Sequence, residues 1–104
     1  MTRLLGKNAL ITGASSGIGE AIAIRFAQEG ANVAINYHSG ADRAEAVRAK
    51  VAQENKQAKA LTVNANVAAA PQVQDLVATV LKQFGTLDIL INNSGIQKHT
   101  ASDE

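Results

Sequence analysis

A glycine-rich turn near the start of the chain constrains its fold more than any other feature. Gly13, Gly17 and Gly19 stand between a short apolar run at residues 8–12 and a segment in which Ile18, Ile22 and Phe26 recur at helical spacing. A short apolar run bounded by glycine is typical of a buried strand, and the recurrence that follows is typical of an amphipathic helix. The pattern therefore predicts a strand, a tight turn and a helix.

The same alternation of strand and helix continues along the chain. The further predicted elements are a strand at 32–36, a helix introduced by Ser39 and Gly40 and running to about Asn55, a strand at 58–64, a helix opened by Pro71 and ended by Gly85, and a strand at 88–92. Alternating strands and helices favour parallel pairing with right-handed crossovers. We therefore predict the α/β class, as a doubly wound parallel sheet in the strand order 3-2-1-4. In such a sheet, ligands bind at the carboxyl ends of the first and fourth strands.

Length, charge and the lack of cysteine exclude several kinds of protein. The 104 residues make one domain, and the net charge of +1 gives no basic surface for nucleic acid or an anionic membrane. Without cysteine there is no disulfide scaffold, thiolate zinc site or thiol nucleophile. His38 and His99 lack the spacing of metal ligands, so we predict no metal site. No signal-like or membrane-spanning apolar run occurs, which predicts no membrane partner and a cytoplasmic location.

The spacing of the three glycines suits an anion-binding turn. Gly13 permits a sharp turn off the strand, Gly17 permits close approach of a ligand to the backbone, and Gly19 permits tight packing of the helix. Backbone N–H groups near Ile18 and the hydroxyl groups of Ser15 and Ser16 would then face a pyrophosphate at the helix N-terminus. The glycines alone also fit a tight turn that binds nothing.

Together with two later motifs, this turn resembles the short-chain dehydrogenase/reductase family. Thr12-Gly13-x-x-x-Gly17-Ile18-Gly19 is similar to the cofactor motif of that family, and Asn92-Asn93-Ser94-Gly95 is similar to its Asn-Asn-Ala-Gly motif. Asn66-Val67 stands where the family usually has Asp-Val. The segments 34–37 and 95–97 look most like the glucose 1-dehydrogenase-like members. The resemblance implies a Rossmann-like fold that binds NAD or NADP.

The resemblance also implies roles for the later motifs. Asn66 would face the adenine ring, where an amide oxygen accepts a hydrogen bond without the strength of a carboxylate, and Val67 would add an apolar contact. Asn93, Ser94 and Gly95 would lie against the nicotinamide ribose, and Asn92 would be mainly structural. Taken alone, Asn-Asn-Ser-Gly is equally typical of an ordinary turn at the end of a strand.

The end of the second strand bears on the choice between NAD and NADP. Proteins that prefer NAD usually carry an acidic residue there to hold the ribose 2′-hydroxyl. This chain has Tyr37 at that place, and no acidic residue lies between Glu29 and Asp42. His38, Ser39 and Arg43 would donate hydrogen bonds to a 2′-phosphate. We therefore predict that NADP is tolerated or preferred and that NAD still binds, although His38 also fits a solvated loop histidine.

The catalytic residues that the resemblance implies do not occur in this sequence. The family uses a serine and a Tyr-x-x-x-Lys motif to transfer hydride to or from an alcohol or carbonyl substrate, a class that includes sugars. Tyr37 is the single tyrosine, and Ala41 stands four residues later. We therefore predict residues 1–104 to be an NAD(P)-binding Rossmann-like domain with no catalytic residue of its own, truncated relative to the family fold of about seven strands.

Three interpretations of the chain remain open at this stage. In the first, the chain is the cofactor half of an oxidoreductase, and homo-oligomers are expected if the full fold is present. In the second, it is a non-catalytic module or sensor that binds NADP or another adenine nucleotide. A third possibility is another Rossmann-like binder such as a methyltransferase. Asn-Asn-Ser-Gly after the fourth strand argues against the third.

Overall fold

Four parallel strands form one sheet with helices on both faces. The computed structural model describes residues 3–15 and 17–93. Its elements are, in chain order, β1 (Asn8–Ile11), α1 (Gly17–Gln28), β2 (Asn32–Tyr37), α2 (Ala41–Glu54), β3 (Ala60–Asn64), α3 (Ala70–Phe84) and β4 (Ile89–Ile91). The strands are ordered β3-β2-β1-β4, and every pairing is parallel. The predicted α/β class and strand order are confirmed.

Alternate residues of the central strands point to opposite faces of the sheet. Ile11, Val33 and Ile35 belong to the apolar core beneath α1 and α2. Leu10 and Ala34 belong to the core beneath α3. All five are fully buried, as expected for the middle of a parallel sheet that is covered on both sides.

Helix α1 approaches the sheet through small side chains. Its buried residues are Gly19, Ala23 and Ala27, whereas Ile22 and Phe26 are partly buried at the border of the same core. Ile18 is 60% exposed. The contact face therefore lies one residue beyond the predicted apolar stripe, because small residues let the helix axis come close to the strands.

The predicted ends of the elements agree with the structure to within a few residues. α2 is preceded by Gly40 with φ 81°, α3 contains Pro71 in its first turn, and Gly85 follows α3 with φ 91°. β3 begins at Ala60 rather than 58, because the N–H of Ala58 donates to the carbonyl of Asn55 in a turn after α2. Because all four strands are parallel, the loops that follow them meet at one edge of the sheet.

Candidate functional site

A cleft of about 590 Å³ opens at the carboxyl edge of the sheet. Most of its polar lining comes from the loop or turn after each strand, and its apolar floor comes from β1, α3 and β4. The lining includes Thr12, Gly13 and Ser15 after β1, Asn36 and Tyr37 at the end of β2, His38 and Ser39 after it, Asn66, Val67 and Ala68 after β3, Asn92 after β4, and the floor residues Leu10, Leu76, Val77 and Leu90. This is the place at which a doubly wound sheet binds its ligand.

Two glycines give the turn after β1 its shape. Gly13 has φ 61° and Gly17 has φ 64°, a left-handed conformation that residues with a Cβ rarely adopt. A Cβ placed on Gly17 would meet no atom of residues 3–15 and 17–93 within 4 Å. The backbone at the start of α1 is therefore open to an approaching ligand, and its free N–H groups suit a negatively charged one.

Gly19 is required for a different reason. A Cβ at this position would lie 2.6 Å from the carbonyl oxygen of Gly13, 2.7 Å from Nδ2 of Asn93 and 2.8 Å from Cα of Ala14. The close packing predicted for Gly19 thus involves the turn itself and Asn93.

The peptide groups of Gly13 are held by two buried asparagines. The Gly13 N–H donates to Oδ1 of Asn36 at 3.2 Å, and the Gly13 carbonyl accepts from Nδ2 of Asn93 at 3.0 Å. Asn36 is 1% exposed and Asn93 is fully buried. Asn36 was not among the predicted site residues, although a buried asparagine inside an apolar strand is unusual enough to mark it.

Asn66 and Val67 line the opposite wall of the cleft. The backbone N–H of Asn66 donates to Oε1 of Gln72 at 2.7 Å, and Oδ1 of Asn66 accepts from the N–H of Ala68 at 3.0 Å. These bonds fix the loop between β3 and α3. A carbonyl oxygen has two lone pairs, so Oδ1 keeps acceptor capacity for a ligand.

The mouth of the cleft carries basic and hydroxyl groups. Tyr37 is half-buried, His38 and Ser39 are exposed, and Arg43 lies on the first turn of α2. A Cβ on Gly40 would be 2.9 Å from Nη2 of Arg43, so the guanidinium lies over this glycine beside the cleft. Among the described residues, Arg43 forms no ion pair. Its charge is available to an anion at this end.

The fourth strand ends at the other side of the cleft. Asn92 lines the cleft, and Thr12 Oγ1 donates to its Oδ1 at 3.4 Å. Asn93 is turned inward against Gly13, and its Oδ1 has no hydrogen-bond partner among the described residues. The assignment of Asn93 to the nicotinamide ribose stays a prediction. Ser16, Ser94, Gly95 and His99, which also carry predictions, lie outside the described residues.

Two residues on the surface of α2, away from the cleft, have shifted pKa values. Arg48 donates hydrogen bonds to Glu45, which lowers the pKa of the Glu45 carboxyl and raises the pKa of Arg48. Neither residue lines the cleft. The pair therefore provides positions at which a charge can be changed without touching the candidate site.

Comparison with known proteins identifies the family. The family model for short chain dehydrogenases matches residues 7–104. The chain belongs to the short-chain dehydrogenase family. The sequence resemblance is confirmed, and the cleft of this short-chain dehydrogenase chain lies where the family motifs meet.

Curated relatives of this short-chain dehydrogenase chain include more than one kind of enzyme. The 3-oxoacyl-[acyl-carrier-protein] reductase FabG of Staphylococcus epidermidis is 45% identical over 94 residues, which are 90% of this chain and 38% of the relative. Glucose 1-dehydrogenase 2 of Bacillus subtilis is 46% identical over 92 residues, 88% of this chain and 35% of the relative. The chain thus spans well under half of the length of the relatives it matches.

Solved structures agree with this relationship. A short-chain dehydrogenase/reductase from Serratia marcescens has a TM-score of 0.82 at 46% identity, covering 88% of this chain and 36% of that one. A short chain dehydrogenase from Burkholderia cenocepacia, solved in complex with NADP, has a TM-score of 0.80 at 46% identity, covering 86% of this chain and 36% of that one.

Two other kinds of feature do not occur in the described part of the chain. Residues 3–15 and 17–93 contain no cluster of three or more His, Asp or Glu side chains that is arranged to hold a metal ion. Within the same residues, no helix has both the length and the apolar character needed to span a bilayer.

Proposed function

We propose that this chain is the cofactor-binding portion of an NAD(P)-dependent oxidoreductase that acts on an alcohol or carbonyl compound. The nicotinamide cofactor supplies the chemistry: it accepts hydride from an alcohol, which becomes a carbonyl as a proton is released, or runs the reverse reaction. The residues of this chain bind and orient the cofactor. The family relationship and the NADP complex of the Burkholderia relative support the proposal.

The observation that carries the proposal is the convergence of three loops on one cleft. The glycine turn fits a pyrophosphate because no Cβ stands at Gly17, where α1 begins and its first N–H groups lack a partner within the helix. The loop at Asn66 and Val67 fits an adenine ring, and the end of β4 fits the nicotinamide ribose. An extended dinucleotide is the ligand that would use all three.

We further propose that NADP is preferred or at least tolerated. A 2′-phosphate on the adenosine ribose would meet His38, Ser39 and Arg43, all of which line the cleft. Arg43 offers a guanidinium with several donors, and the N-terminus of α2 adds a favourable dipole. The cleft lining in the described residues contains no carboxylate that would repel the phosphate.

The proposal is tested by measuring dissociation constants of the purified chain for NADP and NAD at low and high salt. We expect both to bind, and we expect NADP affinity to fall more steeply with salt because its 2′-phosphate adds charge. Failure to bind either dinucleotide would refute the proposed function. Equal affinities at both salt concentrations would refute the 2′-phosphate site alone.

A second candidate function is binding of NADP or another adenine nucleotide without chemistry. It is favoured by the described lining of the cleft, which contains Tyr37 as its one tyrosine and no lysine. In either case we propose that this chain alone binds without turnover, so NADPH oxidation should be absent with carbonyl substrates. A cytoplasmic location and homo-oligomeric assembly of the complete protein are proposals that depend on the family relationship, and cell fractionation and light scattering test them.

A further inference from the structure

One buried side chain joins the two walls of the cleft. Oδ1 of Asn36 accepts a hydrogen bond from the N–H of Gly13 at 3.2 Å. Nδ2 of the same residue donates to the carbonyl of Ala65 at 3.1 Å. Gly13 belongs to the glycine turn after β1, and Ala65 directly precedes Asn66 in the loop after β3. A single amide therefore spans the two loops.

The bonds of Asn36 are mutually consistent. Nδ2 also donates to the carbonyl of Val63 at 3.3 Å, and the backbone carbonyl of Asn36 accepts from the N–H of Ala14 at 3.0 Å. The oxygen faces a donor and the nitrogen faces acceptors, which fixes the orientation of the amide. Side chain and backbone of one residue thus bond to the turn after β1, to β3 and to the loop after β3.

Packing alone does not explain an asparagine at this position. Asparagine is disfavoured in strands, and a buried amide is costly unless it is hydrogen-bonded. An apolar side chain of similar size would fill the space. It would remove the side-chain partner of the Gly13 N–H and of the Ala65 carbonyl. In the described part of the chain, no backbone group pairs with the Gly13 N–H in its place.

We propose that Asn36 is a positioning residue that fixes the distance between the phosphate-binding turn and the adenine-binding wall. This role rests on the proposed nucleotide-binding function, and through it the phosphate-binding turn and the adenine-binding wall are held at one separation. A ligand that reaches both subsites gains from their fixed separation, whereas a ligand that reaches one does not. Asn36 also lines the cleft, but it is only 1% exposed and its amide is engaged by Gly13 and Ala65, so it acts on the ligand through these two residues.

The first experiment compares ADP, which reaches both subsites, with adenosine, which reaches the adenine wall. Asn36→Leu removes the bonds and keeps the branched shape and the number of side-chain heavy atoms, and Asn64→Leu is the matched control on the exposed end of β3. We expect Asn36→Leu to lower ADP affinity about tenfold or more and adenosine affinity less than about threefold. The control should change neither. A purely structural role would lower both affinities by the same factor and would overturn the proposal, as would no change in ADP affinity.

The second experiment uses the pH profile of Asn36→Asp. A neutral carboxyl accepts from Gly13 and donates to Ala65, but a carboxylate repels the carbonyls of Val63 and Ala65. Its pKa is therefore raised, and ADP affinity is retained at low pH and lost as the pH rises. Relative to wild type, we expect about tenfold weaker binding at about pH 8 than at about pH 5. A flat ratio would overturn the proposal.

Other ionisable groups near Asn36 are present in both proteins and cancel in that ratio. Tyr37, His38 and Arg43 line the same cleft, and Asp75 lines a small cavity on the far side of Ala65. Asn64→Asp, which adds the same charge on neighbouring β3, should give a flat ratio.

Hydrogen exchange of the Gly13 amide in nucleotide-free protein separates this inference from the proposed function. We expect exchange to be about tenfold faster or more in Asn36→Leu than in wild type or Asn64→Leu. If wild type binds no ADP, the proposed function fails, but this measurement still tests the role of Asn36. Faster exchange in Asn36→Leu than in wild type supports the conclusion that Asn36 fixes the turn, and equal exchange overturns it.

Discussion

Asn93 donates a hydrogen bond from Nδ2 to the carbonyl oxygen of Gly13 at 3.0 Å, which ties the end of β4 to the turn after β1 across 80 positions of the sequence. Asn36 holds the N–H of the same glycine. The turn that carries the family motif is thus supported from the strands on both sides of β1.

Removing the donor of Asn93 should destabilise the fold. We expect Asn93→Leu to lower the free energy of unfolding by about 1 to 3 kcal/mol, because the carbonyl of Gly13 loses its partner in a buried place. Urea denaturation measures the change. Asn64→Ala, on an exposed strand end, should change stability by less than about 0.5 kcal/mol. An unchanged midpoint for Asn93→Leu would show that this bond does not stabilise the turn.

Gly19→Ala should destabilise the chain although alanine is the better helix former. The new Cβ would lie within 2.8 Å of three atoms, and we expect overpacking to cost about 1 to 3 kcal/mol, more than the helix propensity gain of about 1 kcal/mol. Nucleotide affinity should fall as the turn shifts. Thermal unfolding and titration with NADP measure the two effects.

The control for Gly19 is Gly6, which has φ 76° and, among the described residues, no atom within 4 Å of the place that a Cβ would take. Gly6→Ala carries a conformational cost of about 1 to 2 kcal/mol and should leave NADP affinity unchanged. A stabilised Gly19→Ala variant would show that α1 moves away from the turn at little cost.

How far the sequence predicts this molecule depends on the kind of signal. Periodicity and glycine turns predict the strands, helices and strand order, because each is a local pattern with a fixed geometric consequence. The same patterns predict the wrong contact face for α1, shifted by one residue. The residues that contact the sheet are Gly19, Ala23 and Ala27, which pack there because they are small and not because they are strongly hydrophobic.

The supporting residues of the site are harder to predict than its lining. Each lining residue that a motif singles out stands at the end of a strand or in the loop that follows it: Ser15, Tyr37, His38, Ser39, Asn66 and Val67. Asn36 and Asn93 act through bonds to residues 23 and 80 positions away. Such partners become visible only when the strand register is known.

Arg43 should discriminate between the two dinucleotides. We expect Arg43→Gln to weaken NADP binding about 3- to 10-fold, the effect of one partly solvated charge-assisted contact, and to leave NAD binding unchanged. The salt dependence of NADP binding should become shallower. Arg48→Gln, one turn further along α2 and paired with Glu45, is the matched control. If Arg43→Gln lowered the affinities for NADP and NAD equally, Arg43 would not act on the 2′-phosphate.

Asn66→Asp tests the adenine wall by strengthening it. A carboxylate accepts a hydrogen bond from the exocyclic amine of adenine more strongly than an amide oxygen does, so we expect NADP affinity to rise about 2- to 10-fold near neutral pH. The bond from the N–H of Ala68 to Oδ1 is retained, because a carboxylate also accepts it. The gain should disappear as the pH falls and the carboxylate is protonated. A dinucleotide with hypoxanthine in place of adenine lacks the amine and should gain nothing, so an equal gain for both ligands would show that Asn66 acts on the loop and not on the adenine ring.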